Sequence, residues 1–396
     1  MRSPARGRAP FLVVTAALLA MLTAGNLPTP LYAVYRAKFG FSSAELTLIF
    51  ATYMIVLIPS LLVFGQLSDR VGRRRVLAGG LVVAALGLGI FAAARSTGWL
   101  FVARAVQGVG LGAAVGTAGA ALVELEPAGD HARAALATVV GQAGGSGAGP
   151  LFAGALAQWA PAPLQLCFLL GAAMTLVAAL AVMSIREPVQ ASGEWRLQKP
   201  RVPAEIRTPF IRASLTGAAL WSVGGLFLSV VPSYASQLLA THNLALLGAI
   251  AATMLATACA AQVVCLRRSL EPKLAQPAGL TWLVVGLGSL VLAFPLHSLA
   301  LVLVGALLAG AGLGFGFFGA QAEINDLAPP ERRGEVTAAF ITILYCGVSV
   351  TAIGVGFISD ATSLQTAVAI VGSVVALTAV LATAWHLASV RRERVA

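Results

Sequence analysis

The chain has 396 residues, 58% of them hydrophobic and 10% charged, with a formal net charge of +11. A soluble domain carries about 25% charged residues, so this composition excludes a dissolved globular protein. A nucleic-acid surface is excluded too, because the arginines sit in short stretches between apolar runs and cannot form one continuous basic face.

Arg2, Arg6 and Arg8 precede an apolar stretch over residues 11–24, a pattern that a signal peptide shares. The apolar character continues past Asn26 toward Tyr35, so the stretch is expected to be a first spanning helix kept in the mature chain. A spanning helix needs about 20 largely apolar residues. Lipid offers no hydrogen-bond partners, so such segments must be helical. Candidates fall at 11–35, 46–67, 76–95, 98–123, 134–158 and 164–185, then at 210–238, 244–266, 278–296, 299–323, 335–358 and 364–388. Residues 187–209 hold Pro188, Pro200, Pro203 and Pro209 among charges and read as a linker. The expected organisation is a six-helix bundle over 1–186, a cytoplasmic linker over 187–209, and a second six-helix bundle over 210–396. With the N-terminus cytoplasmic, 22 of the 26 lysines and arginines lie on the cytoplasmic side. Lysine and arginine bias sets topology, so both termini are expected to be cytoplasmic in a multi-pass protein of the inner (cytoplasmic) membrane.

The halves repeat. Pro30-Leu-Tyr32-Ala33 matches Pro232-Ser-Tyr234-Ala235, and Gly108-Val-Gly110-Leu111-Gly112 matches Gly310-Ala-Gly312-Leu313-Gly314, both 202 residues on. Arg133, Gly147 and Gly154 match Arg333, Gly347 and Gly354 at an offset of 200. Cys167, Cys259, Cys265 and Cys346 all fall in apolar runs, without disulfide or metal spacing, and read as small packing residues.

The stretch Gly65-Gln-Leu-Ser-Asp69-Arg70-Val-Gly72-Arg73-Arg74-Arg75-Val-Leu77 joins the second and third candidate spans. It resembles the signature cytoplasmic loop of the major facilitator superfamily at Gly65, Leu67, Asp69, Arg70, Gly72, Arg73 and Arg74. The two glycines suit a tight reversal and close helix approach. The resemblance implies that Asp69 faces the N-terminus of the eleventh span near Gly334 and Glu335. It also implies that Arg73 pairs with an acid ending the fourth span, Glu124 or Glu126, as a latch between conformations. The other reading is that the arginines only enforce topology. In the second half Glu271 is read at the place of Asp69, with both glycines gone.

In the fourth span, Arg104-Ala-Val-Gln107-Gly108 resembles the superfamily's second motif, which implies a cavity-facing arginine acting in proton coupling with Gln107. Arg104 is the one charge well inside a span, and the alternative is a side chain snorkelling to the outer surface. The fifth span, with Gly141, Gly145, Gly149, Pro150 and Gly154, resembles the motif associated with antiporters, or is a generic tight-packing helix. Asn26 and Tyr32 of the first span, Ser229 and Ser233 of the seventh, and Tyr53, Gln142 and Tyr345 are candidate cavity donors, or serve helix–helix hydrogen bonds.

Every carboxylate lies away from a span centre, which disfavours a strongly cationic substrate and weakens the argument for proton antiport. The expected fold is all-α, twelve transmembrane helices in two six-helix repeats. Expected function is export of apolar or amphipathic small molecules, as in the twelve-helix drug:proton antiporter group. No cofactor and no nucleic-acid partner are expected; the proton gradient supplies energy, and a monomer sits in the lipid bilayer. A proton-coupled importer or metabolite facilitator of the same fold is the alternative. No nucleophile–base spacing, metal cluster or phosphate loop suggests an enzyme.

Overall fold

The computed structural model describes residues 8–187, 201–329 and 332–395, so residues 188–200 of the expected linker lie outside it. All regular structure among the described residues is helical. In chain order the helices are α1 (Arg8–Asn26), α2 (Pro28–Phe39), α3 (Ser43–Val71), α4 (Arg73–Ala92), α5 (Thr97–Leu125), α6 (His131–Val139), α7 (Gly145–Trp159) and α8 (Pro163–Ser184). The second series is α9 (Arg207–Ser229), α10 (Val231–Leu238), α11 (Leu244–Arg268), α12 (Pro272–Ala293), α13 (Leu299–Leu327), α14 (Arg333–Ala361) and α15 (Leu364–Val395).

Among the described residues, 11 helical stretches are long and apolar enough to cross a membrane. The twelfth crossing is the fifth expected span. It is assembled from α6, a π-helical turn at Val140–Gly144 and α7, so it is not one uninterrupted α-helix. Two other crossings are broken where proline intervenes. The first passes from α1 to α2 at Leu27, before Pro28 and Pro30; the seventh passes from α9 to α10 at Val230, before Pro232. Proline has no N–H, so each break frees carbonyls of the preceding turn.

The thirteen residues at 65–77 are not a loop. Helix α3 runs to Val71, α4 begins at Arg73, and Gly72 alone separates them. Its φ of 106° lies where side chains are strained, and an added Cβ would come within 2.5 Å of a Glu187 carboxylate oxygen. Gly65 is different: it lies inside α3 with nothing within 4 Å of where a Cβ would be. Only Gly72 therefore serves the reversal.

The repeat also needs a corrected register. Tyr35 Oη donates to the Phe91 carbonyl at 2.8 Å, and Tyr234 Oη donates to the Leu290 carbonyl at 2.8 Å. The two bonds match at an offset of 199 residues, so Tyr234 stands opposite Tyr35 rather than Tyr32. Close backbone approach of Gly80 to Gly110 is matched by Gly279 against Gly312, which keeps 202 for the fourth span and gives 199 for the third. Glu271, the residue before α12, thereby stands at the place of Gly72 and not of Asp69.

The chain forms two compact units. Unit one comprises 1–41, 52–198 and 243–252; unit two comprises 42–51, 199–242 and 253–396. In unit one, stacked rings of Tyr35, Phe91 and Phe168 fasten α2, α4 and α8. In unit two, a buried cluster of Phe210, Ile324, Val336, Phe340 and Leu344 joins α9, α13 and α14.

Each unit also holds the first turns of a helix whose remainder belongs to the other. In unit two the N–H groups of Ser43 and Ala44 donate to the two carboxylate oxygens of Asp360, each at 2.9 Å. A carboxylate there satisfies orphan amides and meets the positive end of the helix dipole. One turn back, a Cβ on Gly356 would lie 2.9 Å from the Ala44 Cα, so the two helices touch. Unit one repeats the device with a neutral group: Gln158 Oε1 accepts from the Leu244 N–H at 2.9 Å. Hydrogen bonds to charged groups contribute about 1.5–3 kcal/mol each. Asp360→Ala is therefore expected to raise amide exchange in a peptide covering residues 42–47 at least about tenfold, read by hydrogen–deuterium exchange. Unchanged uptake would show that the carboxylate does not hold this helix start.

Candidate functional site

A polar network inside the apolar interior surrounds Arg104. Its side chain is 1% exposed, so the guanidinium is turned into the protein and does not snorkel outward. Nε donates to Tyr32 Oη at 2.6 Å, and Nη1 donates to the Gly25 carbonyl and to Gln107 Oε1, both at 2.9 Å. The rings of Tyr32, Tyr53 and Phe91 lie 5.3–5.6 Å from the guanidinium carbon. Aromatic faces attract a cation most strongly when water is excluded.

The break after α1 makes this network possible. Pro28 cannot donate to the Ala24 carbonyl four residues earlier, and Gln107 Nε2 approaches that carbonyl at 3.4 Å. Gln107 thus accepts from Arg104 and donates to α1, which fixes its amide orientation. The chain-break carbonyls at Ala24 and Gly25 and the ring of Phe91 carry no motif in the sequence. Pro28 signals the break at Ala24 alone.

At the α3–α4 turn, Arg73 Nη2 meets Glu124 Oε1 at 3.0 Å, and Nη1 donates to Ser68 Oγ at 2.6 Å. Arg73 also forms an ion pair with Asp69, which is 59% exposed. Of the two candidate acids, Glu124 is the partner of Arg73. Glu126 is buried and instead folds its own turn, accepting from the Ala128 and Asp130 N–H groups at 2.7 Å. Arg74 Nη1 donates to the Met183 and Ile185 carbonyls, and Glu187 accepts from the Arg74 N–H, so the end of α8 is tied to the start of α4. Arg70 is exposed.

The glycines of the fifth span pack on two different helices. A Cβ on Gly145 would lie 2.6 Å from the Leu19 carbonyl oxygen, and one on Gly149 would lie 2.5 Å from that of Thr23. Gly154 instead faces the Leu244 carbonyl oxygen at 2.5 Å, and Gly248 of α11 faces the Pro150 carbonyl oxygen at 2.2 Å on the same measure. The helix from Gly145 to Gly154 is therefore clamped between α1 and the start of α11.

The candidate cavity residues divide. Tyr32 and Tyr53 join the Arg104 network. Asn26 Nδ2 donates to the Leu22 carbonyl and Ser229 Oγ to the Gly225 carbonyl, so both bond within their own helices. Gln142 and Ser233 are half-buried. Tyr345 meets Trp221 edge-to-face, with centroids 5.1 Å apart. A second polar cluster lies in unit two. Arg212 of α9 pairs with Glu323 of α13 and donates to Ser389 of α15, while Gln276 Nε2 of α12 donates to Glu323 Oε2 at 3.2 Å. It joins four helices of unit two. Its residues are far apart in the chain, and nothing in their spacing links them.

This is a polytopic helical membrane protein built from a duplicated six-helix half, with a buried arginine in the fourth span where the repeat carries Ala306. The sequence model of the Major Facilitator Superfamily matches residues 13–276 and 275–395, and the chain belongs to that family of transporters. An uncharacterized MFS-type transporter of Mycobacterium tuberculosis is 30% identical over 196 residues, which cover 47% of this chain and 27% of that protein. The 3-(3-hydroxy-phenyl)propionate transporter of Escherichia coli is 37% identical over 81 residues, 19% of each chain. The chain thus spans 27% and 19% of the length of these two relatives. Among solved structures, a bacterial homolog of the human lysosomal transporter Spinster aligns with a TM-score of 0.75 at 15% identity, over 96% of both chains. The nucleoside transporter NupG aligns with a TM-score of 0.71 at 13% identity, over 96% of this chain and 99% of that one. These likenesses establish the major facilitator fold.

Tyr32→Phe removes the acceptor of Arg104 Nε while leaving the ring. A buried charged donor left unpaired costs about 1–3 kcal/mol, so the purified variant should melt a few degrees below the parent. An unchanged melting temperature in detergent would mean that the guanidinium rebonds without loss.

Proposed function

We propose that the chain is a secondary transporter that exports apolar or amphipathic small molecules by alternating access, coupled to the proton gradient. The observation that carries the direction of transport is the clamped fifth span. Its Gly145, Gly149, Pro150 and Gly154 follow the antiporter pattern, and the small residues lie against α1 and α11 at near-contact distance. A helix so gripped responds to sub-ångström changes in its neighbours, since packed interfaces do not deform continuously. Arg104 and Gln107 are the proposed coupling residues, because a buried guanidinium that donates to the neutral Tyr32 hydroxyl, Gly25 carbonyl and Gln107 amide is sensitive to any charge that enters or leaves its surroundings. The Gly72 turn, with Asp69, Arg73 and Glu124, is the proposed conformational latch. The arginine-rich ends face the cytoplasm in this reading, and a monomer in the cytoplasmic membrane is the working form.

Among the described residues, each carboxylate in a spanning helix lies in its first or last two turns. That placement supports neutral or weakly amphipathic substrates over strong cations, for which a midplane acid would be the natural partner. The second reading is uptake of a small metabolite, favoured by the 81-residue similarity to the 3-(3-hydroxy-phenyl)propionate transporter.

The test is a susceptibility panel in cells stripped of their own efflux pumps, with and without this chain. Export predicts resistance to several apolar compounds. Unchanged susceptibility, together with saturable uptake of an aromatic acid, would establish the second reading. Within export, Pro150→Ala should reduce efflux several-fold with normal insertion. Arg104→Ala should abolish pH-driven efflux from proteoliposomes, while Arg104→Lys keeps part of it, since a point charge replaces the charge and not the planar fork. Full efflux by Arg104→Ala would remove the residue from coupling.

A further inference from the structure

The second half carries a connected aromatic cluster at positions where the first half has no aromatic residue. Trp221 of α9 lies 5.4 Å from Phe317 of α13 and 5.1 Å from Tyr345 of α14, centroid to centroid, and the Tyr345 ring meets it at 88°. Phe317 in turn stacks on Phe340 at 6.4 Å with an interplanar angle of 14°. Phe340 is fully buried and Tyr345 is 8% exposed, whereas Trp221 and Phe317 keep part of their surface accessible.

The corrected repeat register supplies a control that evolution placed in the same chain. The positions equivalent to Trp221, Phe317, Phe340 and Tyr345 are Leu22, Val115, Val140 and Gly145. None is aromatic. There, Gly145 brings its helix so close to α1 that an added Cβ would lie 3.0 Å from the Leu22 Cβ. The duplicated scaffold therefore closes with a leucine and a glycine at this level. Packing alone does not require a tryptophan and a tyrosine at the matching places.

Depth sets these rings apart as well. At about 1.5 Å of rise per residue, Trp221, Phe317 and Tyr345 stand about 15–21 Å from the arginine-rich ends of their helices. That is near the middle of a hydrocarbon layer about 30 Å thick. Tryptophan belongs more commonly at the membrane interfaces, where its polar edge stays wet. Within one helical turn of Trp221, Phe317 and Tyr345 along their own helices, the sequence holds no charged residue.

We propose that Trp221 and Phe317, backed by Phe340 and braced edge-on by Tyr345, form a stacking subsite for the planar aromatic ring of an uncharged ligand. Ring pairs favour offset or edge-to-face contacts at 4.5–7 Å, and the cluster already holds its own rings at those spacings. A cationic ligand would have to shed its water beside apolar neighbours with no counter-charge on these turns, at a large desolvation cost. The subsite deepens the export reading by naming a substrate class, yet it stands on binding alone and holds for either direction of transport.

The experiment measures equilibrium binding to the purified full chain in detergent, by ligand-induced shift of the melting temperature. The probes are N-phenyl-1-naphthylamine, neutral and aromatic, and tetraphenylphosphonium, aromatic and cationic. The parent should bind the neutral probe in preference. Trp221→Leu, which installs the first-half residue, should weaken that binding at least about tenfold, while Trp221→Phe retains most of it. Phe317→Leu should weaken it likewise, and provides the test should Trp221→Leu not fold. Leu22→Ala, the control in the first half, should leave the affinity unchanged. Parent-like affinity in a folded Trp221→Leu or Phe317→Leu, or preference for the cation, overturns the subsite. Loss of binding in Trp221→Leu, with a parent chain that confers no resistance in cells, would sink the export reading and leave the subsite intact.

Discussion

Two helices in a bilayer gain little from the hydrophobic effect by touching, because lipid chains are as apolar as leucine. Their association depends on close contact and on interhelical hydrogen bonds. In this chain the contact is made by backbone against backbone at glycine. Gly108 lies on the Tyr53 carbonyl and Gly310 on that of Met254; Gly110 and Gly80 face each other, as do Gly312 and Gly279. A methyl group at any of these places would stand 2.2–2.8 Å from a backbone atom. The fourth and tenth spans are thus held by glycine on two faces, and everything polar in the interior is arranged around helices that cannot move apart by the width of a side chain without losing their grip.

Arg104 is tolerated within this frame because its neighbours are fixed. Burying a cation costs a great deal unless its hydrogen bonds are made. The proline break in the first span turns backbone carbonyls toward the fourth, and the Tyr32 hydroxyl accepts from the guanidinium Nε. The second half has Ala306 at the matching position and instead gathers its buried arginine, Arg212, near the helix ends beside Glu323. One duplicated scaffold therefore carries a cation about two turns inside its fourth span in one half and the Trp221 cluster in the other.

The twelve crossings were legible because apolar length is a strong signal that later packing does not override. Turns and register were less so. The 65–77 stretch reads as a loop by composition, but arginine is a good helix former, and only Gly72 has a backbone angle that a helix cannot accept. Proline-tyrosine pairs suggested the wrong register for the first and seventh spans, because Tyr32 and Tyr35 lie one turn apart on similar faces; the bonds to Phe91 and Leu290 decide between them. Asn26 and Ser229 look like cavity donors along a helix, yet a short polar side chain can bond the carbonyl one turn back, and spacing alone cannot distinguish the two. Trp221 and Phe317 carry no signal in the sequence, because a lone aromatic in an apolar span gains meaning only from its neighbours on other helices.

The boundary between the two compact units does not follow the boundary between the two sequence halves. The first turns of α3 belong with α14, and the first turns of α11 belong with α7. A gene cut at the linker would therefore yield two fragments that each expose a bare helix start, with the Ser43 and Ala44 amides of one and the Leu244 amide of the other lacking their acceptors.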